Sequence, residues 1–488
     1  MNRYLKKALH YFAGNLFNKI LLFAFLPIFT HFMIPAEYAV YTNFLIFISF
    51  AELIYLMGIQ QALFPYFYEE SSNEYKYSLV SSIYIVVTVV GILLSVLIGL
   101  NGQLISQLVV RESSYNNLIP LIIVIIFSES IYGLTLSILN MMERSTNYAV
   151  LGGIKNLILL ILFLYGTFTN QFTIYMVFLF MMISSIISAL LSLVNIRYIL
   201  KSFVDKSFSP KVFSSKILIP VLKFGLVMIP GTMAMLILRV IDRYMLTYLS
   251  ANSLHDTGIY ATGYRVGMIM QLLVTIVSLV FFPYAMRIAD RPEAKKMYRS
   301  LFNYYVLIGS VLGILIILFS NEIFMIFIDI KFHAAIRIVF VGVISVYLLG
   351  VFNILNIGFY IKKNAKNITF TVCLGAVINI LLNYYLIPLY GVLGAGIASI
   401  AAYLFIVFYN FIKVEKKMGI GFKLSYLIFS VLALLGLAFI NTFIPSGIQF
   451  TLFKILILIF IIMTITLYIK KNEKFNRLKQ IYKAGMNK

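Results

Sequence analysis

The stretch IPGTMAMLILRVIDRYMLTYL at residues 229–249 has the length and the apolar character of a membrane-spanning helix. A hydrocarbon core about 30 Å thick takes about 20 apolar residues in helical conformation to cross. The charged residues of the stretch are Arg239, Asp242 and Arg243. Comparable stretches recur along almost the whole chain, so the sequence predicts a polytopic membrane protein without room for a sizeable soluble domain.

The composition of the 488 residues supports this interpretation. Hydrophobic residues make up 62% of the chain, charged residues 11%, and the mean hydropathy is +0.98. Soluble domains carry about 25% charged residues, so an ordinary soluble enzyme is excluded. The single cysteine, Cys373, allows neither an intramolecular disulfide nor a cysteine metal cluster.

Hydropathy windows of about 20 residues predict an all-α fold with about 14 transmembrane helices, arranged as two six-helix lobes and two additional C-terminal helices. The expected spans lie near residues 11–33, 37–58, 78–100, 118–140, 147–167, 171–196, 223–249, 257–283, 300–320, 334–360, 367–387, 391–412, 423–443 and 449–469.

The net charge of +22 is distributed over short loops between the spans. Because Lys and Arg in short loops are retained in the cytoplasm, this distribution predicts a multi-pass protein with both termini cytoplasmic, and it leaves Arg111 and Lys331 in exterior loops. A nucleic-acid partner is not expected, since the cations form no basic domain. The basic tail could also contact anionic membrane lipids.

An internal repeat indicates two related halves. AVYT at residues 39–42 resembles GIYA at 258–261, and FPY at 64–66 recurs at 282–284. Six spans per repeat give both halves the same orientation in the membrane, and a substrate site is expected between them. The predicted divisions are an N-terminal lobe at 1–200, a C-terminal lobe at 217–414, two further helices at 423–470 and a basic cytoplasmic tail at 471–488.

Charged residues within the predicted spans are the candidate functional residues. Each costs about 2.5–3.5 kcal/mol at the centre of a helix, so each should face an aqueous cavity or a partner. They are Lys19, Glu52, Glu129, Lys155, Arg239, Asp242, Arg243 and Arg265.

The five cations in this set, Arg243, Arg265, Arg239, Lys19 and Lys155, are predicted to bind substrate. Guanidinium groups bind phosphate bidentately and stay charged at physiological pH, so they suit a phosphate-bearing ligand. Pairing within the protein is the alternative. The carboxylates Asp242, Glu129 and Glu52 could hold a coupling cation, a proton or sodium, or orient the arginines.

Breaks in the first helix of each half are candidate hinges. Pro27 interrupts span 1, and Pro230 with Gly231 interrupts span 7. Proline can kink a membrane helix where neighbouring groups restore the lost backbone bonds. The residues predict no catalytic group, resident metal or cofactor.

Two blocks carry a family resemblance, 225–287 and NILLNYYLIPLYGVLGAGIASIAAY at 379–403. They resemble bacterial polysaccharide flippases of the multidrug/oligosaccharidyl-lipid/polysaccharide export superfamily, in which Asp242 and Arg243 match an acidic–basic pair. The resemblance implies alternating access, moving a polyprenyl-pyrophosphate-linked oligosaccharide from the inner to the outer leaflet of the bacterial cytoplasmic membrane for surface polysaccharide biosynthesis.

The sequence leaves three other functions open. A flippase for the lipid-linked peptidoglycan precursor would also need a basic cavity. A multidrug or cation antiporter of the same superfamily would normally expose carboxylates rather than arginines. The five cations within the predicted spans argue against this function. A membrane polysaccharide polymerase is the alternative of a different class, and the scattered histidines His10, His31, His255 and His333 do not support it.

Overall fold

A computed structural model shows an all-helical chain, which confirms the predicted all-α polytopic class. Lys19, the repeated FPY at 282–284, the tail at 471–488 and the last expected span apart from Lys454 lie outside the described residues. The structure describes residues 23–70, 72–142, 144–201, 203, 212–278, 285–286, 288–289, 291–361, 365–441 and 454.

Long helices account for most of the described chain. Within it, eleven helices are long and apolar enough to cross a membrane. The α-helices of the described chain, short ones included, are α1 Phe23–Phe32, α2 Pro35–Tyr55, α3 Ile59–Phe67, α4 Asn73–Leu100, α5 Gly102–Val110, α6 Ile119–Met141, α7 Ser145–Phe168, α8 Ile174–Lys201, α9 Ser215–Leu249, α10 Ser253–Gly267, α11 Gln271–Ile276, α12 Ala294–Leu318, α13 Ser320–Phe327, α14 Val339–Ile361, α15 Ala365–Met418 and α16 Leu424–Asn441.

Local sequence signals set the ends of α2 and divide α15. Pro35 opens α2, where a missing N–H costs nothing, and the Glu37 carboxylate accepts a hydrogen bond from the Ile34 N–H at 3.1 Å. Gly58 follows the helix with φ +69°, a conformation that glycine adopts without steric strain. Gly391, with φ +54°, separates two helices inside α15, as expected from the two predicted spans there.

The order of helices repeats along the chain. A short helix follows a long one at Gly102 in α5 and again at Ser320 in α13, 218 residues later. A 3-10 segment comes next in each case, Ser113–Leu118 and Ile330–Ile338, before the long helices α6 and α14. The secondary structure therefore repeats at nearly the same offset as the sequence motifs.

The chain divides into two compact units. The larger unit falls within His10–Thr262 and Asn364–Ile406, and the smaller unit falls within Gly263–Lys363 and Val407–Lys488. These units are defined by packing, whereas the lobe boundaries at 200, 217 and 414 follow the sequence repeat, and those boundaries stay a prediction.

Packing in the smaller unit is close between α10, α12 and α14. A Cβ added at Gly342 would lie 2.5 Å from the carbonyl oxygen of Tyr264, so α14 and α10 are in backbone contact. Tyr305 and Tyr347 stack with ring centroids 5.7 Å apart, and the Tyr305 hydroxyl donates to the Tyr347 carbonyl at 3.0 Å. These aromatic contacts fix α12 against α14.

Candidate functional site

A pocket of about 250 Å³ lies in the larger unit, between α2, α3 and α9. Apolar residues such as Leu53 and Met235 form part of its wall. Its polar lining consists of Ser49 and Glu52 from α2, Gln60 and Gln61 from α3, and Thr232 and Arg239 from α9.

Arg239 is the cation of this pocket. Its side chain is exposed to the pocket, and no described residue forms an ion pair or hydrogen bond with its guanidinium group. The long helix α9 places it 14 residues beyond Gly225, about 21 Å along the helix axis. A charged group inside a membrane protein without a protein partner is available to a ligand of opposite charge.

Glu52 faces the same pocket from α2. Its carboxylate accepts no hydrogen bond from the described residues, and it lies within electrostatic reach of Glu129 and Lys155. The close approach of Glu52 to α6 depends on Gly133, because a Cβ added there would lie 3.1 Å from Glu52 Oε1. The pocket thus holds a carboxylate as well as a guanidinium group.

Lys155 and Glu129 form an ion pair next to the pocket. Lys155 Nζ lies 2.5 Å from Glu129 Oε2, and the two side chains are 22% and 17% exposed. Lys155 also lies 4.7 Å from the centroid of the Tyr132 ring. The predicted role of Lys155 in binding substrate is untested by these contacts, but its charge is compensated within the protein.

Asp242 lies three residues after Arg239 on α9, about 60° away around the helix, and it is buried. Its side chain is 2% exposed, and its Oδ2 atom accepts hydrogen bonds from the Tyr260 hydroxyl at 2.5 Å and the Ser399 hydroxyl at 2.7 Å. Its Oδ1 atom is buried and accepts no hydrogen bond from the part of the chain that the structure describes. The proximity of Arg243 supplies a favourable charge interaction.

Two buried asparagines extend this network into α15. Asn379 donates to the Ser399 hydroxyl at 3.5 Å, and Asn383 donates to Asn379 Oδ1 at 3.1 Å. Both asparagines are 0% exposed, and Asn383 Oδ1 accepts no hydrogen bond from the described residues. The cluster of Asp242, Ser399, Asn379 and Asn383 therefore has two buried oxygen atoms, Asp242 Oδ1 and Asn383 Oδ1, that accept no hydrogen bond from the described residues.

The other predicted site residues are more dispersed. Arg243 is half-buried next to Asp242, whereas Arg265 lies in the last turn of α10, in the smaller unit. Helix α9 continues through Pro230, and Gly231 packs against the Thr369 side chain. The structure thus brings Arg239 and Glu52 into one pocket and places the Glu129–Lys155 pair within electrostatic reach of Glu52, while the hinge roles of Pro27, Pro230 and Gly231 stay predictions.

Helices α2 and α9 touch at both ends of the pocket. At one end, Asn43 Nδ2 donates to Thr247 Oγ1 at 2.8 Å. At the other end, a Cβ added at Gly225 would lie 2.6 Å from the Met57 carbonyl oxygen, which indicates backbone contact with the turn at Gly58. The residues of α2 and α9 that line the pocket, Ser49 to Leu53 and Thr232 to Arg239, lie between these two contacts along the helices.

Helix α5 and Arg111 cover the first of these contacts. The Tyr248 hydroxyl donates to the Leu108 carbonyl at 2.5 Å, and the Tyr244 hydroxyl donates to the same oxygen. Arg111 lies over the Tyr248 ring, 5.5 Å from its centroid, and donates to the Thr247 carbonyl at 3.5 Å. The Asn43 end is therefore closed by several elements.

Sequence reasoning missed the uncharged members of both clusters. Gln60 and Gln61 lie on the short helix α3. Two consecutive glutamines within an apolar stretch could have indicated a polar site in the sequence. Asn379 and Asn383 are one helical turn apart within a span, a spacing that could have indicated a shared polar face.

Comparison with known proteins identifies the family. The profile described as polysaccharide biosynthesis protein matches residues 4–289. No curated protein sequence gives a significant match.

Several solved structures with the same fold are those of transporters. A lipid II flippase MurJ in an inward closed conformation superimposes with a TM-score of 0.75 at 17% identity, over 94% of this chain and 99% of that chain. A multidrug resistance MATE transporter in an inward-facing conformation gives 0.63 at 13% identity, over 82% and 96%. An outward-facing MATE transporter gives 0.62 at 12% identity, over 85% and 95%.

The profile match covers more than half of the chain, and the structural matches extend the likeness over nearly all of it. The protein therefore belongs to the polysaccharide biosynthesis protein family, and it has the multi-pass membrane fold seen in the MurJ and MATE structures.

Proposed function

We propose that the protein is a flippase that moves a polyprenyl-pyrophosphate-linked oligosaccharide from the inner to the outer leaflet of the bacterial cytoplasmic membrane. The observation that carries this proposal is Arg239, whose guanidinium group faces the α2–α9 pocket without a partner among the described residues. A guanidinium group in such a place binds the oxygens of a phosphate bidentately and keeps its charge at any physiological pH.

The family assignment supports the saccharide part of the proposal. A transporter in a polysaccharide biosynthesis family is expected to move a saccharide, and a lipid-linked form of that saccharide would explain the phosphate-binding cation. One solved structure with the same fold is that of a lipid II flippase, a protein that moves a lipid. The fold is thus compatible with a substrate that has a lipid tail.

The orientation follows from the distribution of Lys and Arg. With both termini in the cytoplasm, the Asn43–Thr247 contact faces outward and the Gly58–Gly225 contact faces the cytoplasm. In the proposed cycle the substrate enters when the cytoplasmic contact opens and leaves when the outer contact opens. MATE transporters of this fold adopt both inward-facing and outward-facing conformations, which supports alternating access.

The proposed driving force is a coupling cation, a proton or sodium, bound at the Asp242 cluster. Hard cations prefer oxygen ligands, and the cluster offers Asp242 Oδ1 and Asn383 Oδ1 as buried acceptors. Arg243 already gives an ionised Asp242 a favourable charge interaction, and a cation bound at Oδ1 would further offset the cost of burying that charge.

The proposal is tested by flipping assays with the full-length protein in proteoliposomes. The probe is a polyprenyl-pyrophosphate-linked saccharide, whose appearance in the outer leaflet is measured by an external saccharide-modifying enzyme. We expect Arg239→Ala to lose most of the activity, and Arg239→Lys to keep part of it, because lysine keeps the charge but not the fork. Arg291→Ala, at an exposed arginine outside the pocket, is the matched control.

A second probe separates this function from drug export. A lipophilic cation is loaded into the same vesicles, and its efflux is measured under the same ion gradients. Flipping of the saccharide lipid without efflux of the cation supports the proposal. Efflux of the cation with no flipping of the saccharide lipid, or wild-type flipping by Arg239→Ala, would contradict it.

A further inference from the structure

The α2–α9 pocket carries uncharged hydrogen-bonding groups that phosphate binding by Arg239 does not use. Gln60 and Gln61 both line it, and neither side chain makes a hydrogen bond with the described residues. Glu52 joins them, since Gln60 Nε2 and Glu52 Oε1 both lie 3.1 Å from a Cβ added at Gly133. The Gln60 amide and the Glu52 carboxylate therefore lie close together, and the Gln61 amide lines the same pocket.

This set of groups matches the hydrogen-bonding properties of sugar hydroxyls. A hydroxyl both donates and accepts, and a glutamine amide does the same through its two ends, whereas a carboxylate accepts from two donors. Phosphate oxygens accept only, so a carboxylate next to them would be repulsive. Glu52 consequently favours the neutral, hydroxyl-rich part of a substrate rather than its phosphate part.

The size of the pocket limits which sugar can reach these groups. Ligand pockets typically hold about 300–1,000 Å³, and this one holds about 250 Å³. With a phosphate on Arg239, the remaining volume suits the sugar that is linked directly to the phosphate. More distant sugars of an oligosaccharide would lie outside it.

We infer that Gln60, Gln61 and Glu52 form a sugar-recognition subsite, which binds the hydroxyl groups of the first sugar of the lipid-linked substrate. This inference rests on the proposed function, in which Arg239 binds the adjacent phosphate. It assigns substrate specificity to α3, a short helix with no charged residue. Sites built to bind a hydroxyl discriminate strongly against analogues that lack it, because their polar groups are then left without partners.

Binding measurements with the full-length protein in nanodiscs test the subsite. One probe is polyprenyl pyrophosphate without a sugar, and the other is the same lipid carrying a single hexose. We expect the wild type to bind the sugar-bearing probe more tightly. In Gln60→Leu/Gln61→Leu, affinity for the sugar-bearing probe should fall about 3- to 30-fold, as for the loss of one or two net hydrogen bonds, with no change for the sugar-free probe.

The controls distinguish the subsite from the proposed function. Arg239→Ala should weaken binding of both probes, and Gln171→Leu, at an exposed glutamine outside the pocket, should change neither. Equal binding of both probes by the wild type, or a double variant that keeps the preference for the sugar, would overturn the subsite and leave the flippase proposal intact. Failure of the wild type to bind either probe would instead overturn the proposed function, and the subsite with it.

Discussion

Gly225→Ala should keep the pocket from closing at the Gly58–Gly225 contact, which is the cytoplasmic side in the proposed orientation. A Cβ at this position lies 2.6 Å from the Met57 carbonyl oxygen, whereas ordinary contact begins at 3.4 Å. Helix α9 and the turn after α2 must therefore separate by about 0.8 Å. Because backbone atoms form the contact, no rotamer change relieves it, and overpacking of this kind costs about 1–3 kcal/mol.

That cost acts on the closed conformation alone. Alanine is a better helix former than glycine, but this advantage of about 1 kcal/mol applies equally when α9 is apart from the turn. A difference of about 1–3 kcal/mol between the closed and open conformations changes their equilibrium about 5- to 150-fold. Opening at the Gly58–Gly225 contact should increase accordingly.

The assay measures access to the pocket from the cytoplasm. A reporter cysteine replaces Thr232, which lines the pocket, and the natural Cys373 is changed to serine. In inside-out vesicles, a membrane-impermeant maleimide should label the reporter at least about fivefold faster when Gly225→Ala is present. Gly153→Ala is the matched control, since a Cβ at Gly153 meets no atom within 4 Å.

An unchanged labelling rate in a normally abundant Gly225→Ala protein would refute the reasoning. It would mean that the contact at Met57 and Gly58 does not limit access to the pocket. Faster labelling in right-side-out vesicles instead would place this contact on the outer face and reverse the proposed orientation.

Three further predictions follow from single positions. A cysteine at Ser253 should react with an impermeant reagent from outside and one at Ser214 should not, as determined by labelling of intact cells, and the opposite result would invert the topology. Lys155→Met should lower the thermal unfolding midpoint, because it leaves the Glu129 carboxylate without its partner at a cost of about 1.5–3 kcal/mol. The double variant Lys155→Met/Glu129→Gln should restore most of the midpoint. Equal midpoints for the two variants would exclude a stabilising ion pair. Arg243→Ala should reduce saccharide export normalised to membrane protein level, and Arg243→Ala/Asp242→Ala should stay impaired; full recovery in the double variant would show that Arg243 only compensates Asp242.

The membrane helices could be predicted from the sequence because their length and apolar character are local properties. The span expected at 118–140 is observed as Ile119–Met141, and the one expected at 423–443 as Leu424–Asn441. The short helices α3 and α5 were not predicted, since a window of about 20 residues averages them into the neighbouring spans.

The candidate site was predictable only in part. Because a charged residue inside a membrane is energetically costly, Arg239 and Asp242 could be identified as candidate site residues from the sequence alone. Their surroundings depend on tertiary contacts: Ser399, which donates to Asp242, is 157 residues away along the chain. Uncharged side chains such as Gln60 carry a smaller cost, so the same criterion did not identify them.

The two proposed sites share one rigid element, and this gives coupling a physical basis. Arg239 and Asp242 are three residues apart on α9, so their side chains point about 60° apart around the helix. One faces the pocket, and the other is buried against α10 and α15. A cation bound at Asp242 would therefore act on the helix that holds the phosphate ligand.

Such coupling is reciprocal, and this provides its test. If the cation raises the affinity for the phosphate-bearing substrate by some factor, the substrate must raise the affinity for the cation by the same factor. Sodium is titrated with and without polyprenyl pyrophosphate, and polyprenyl pyrophosphate is titrated with and without sodium. We expect each ligand to raise the affinity for the other by the same factor, about 5 to 150. Proton coupling is measured as the change of substrate affinity with pH. Asp242→Asn should reduce the factor to one while Arg239 still binds the phosphate, since the amide lacks the charge that holds the cation. An unchanged coupling factor in Asp242→Asn would mean that the coupling ion binds elsewhere. Asp242 would then have only a structural role, as the hydrogen-bond acceptor of Tyr260 and Ser399.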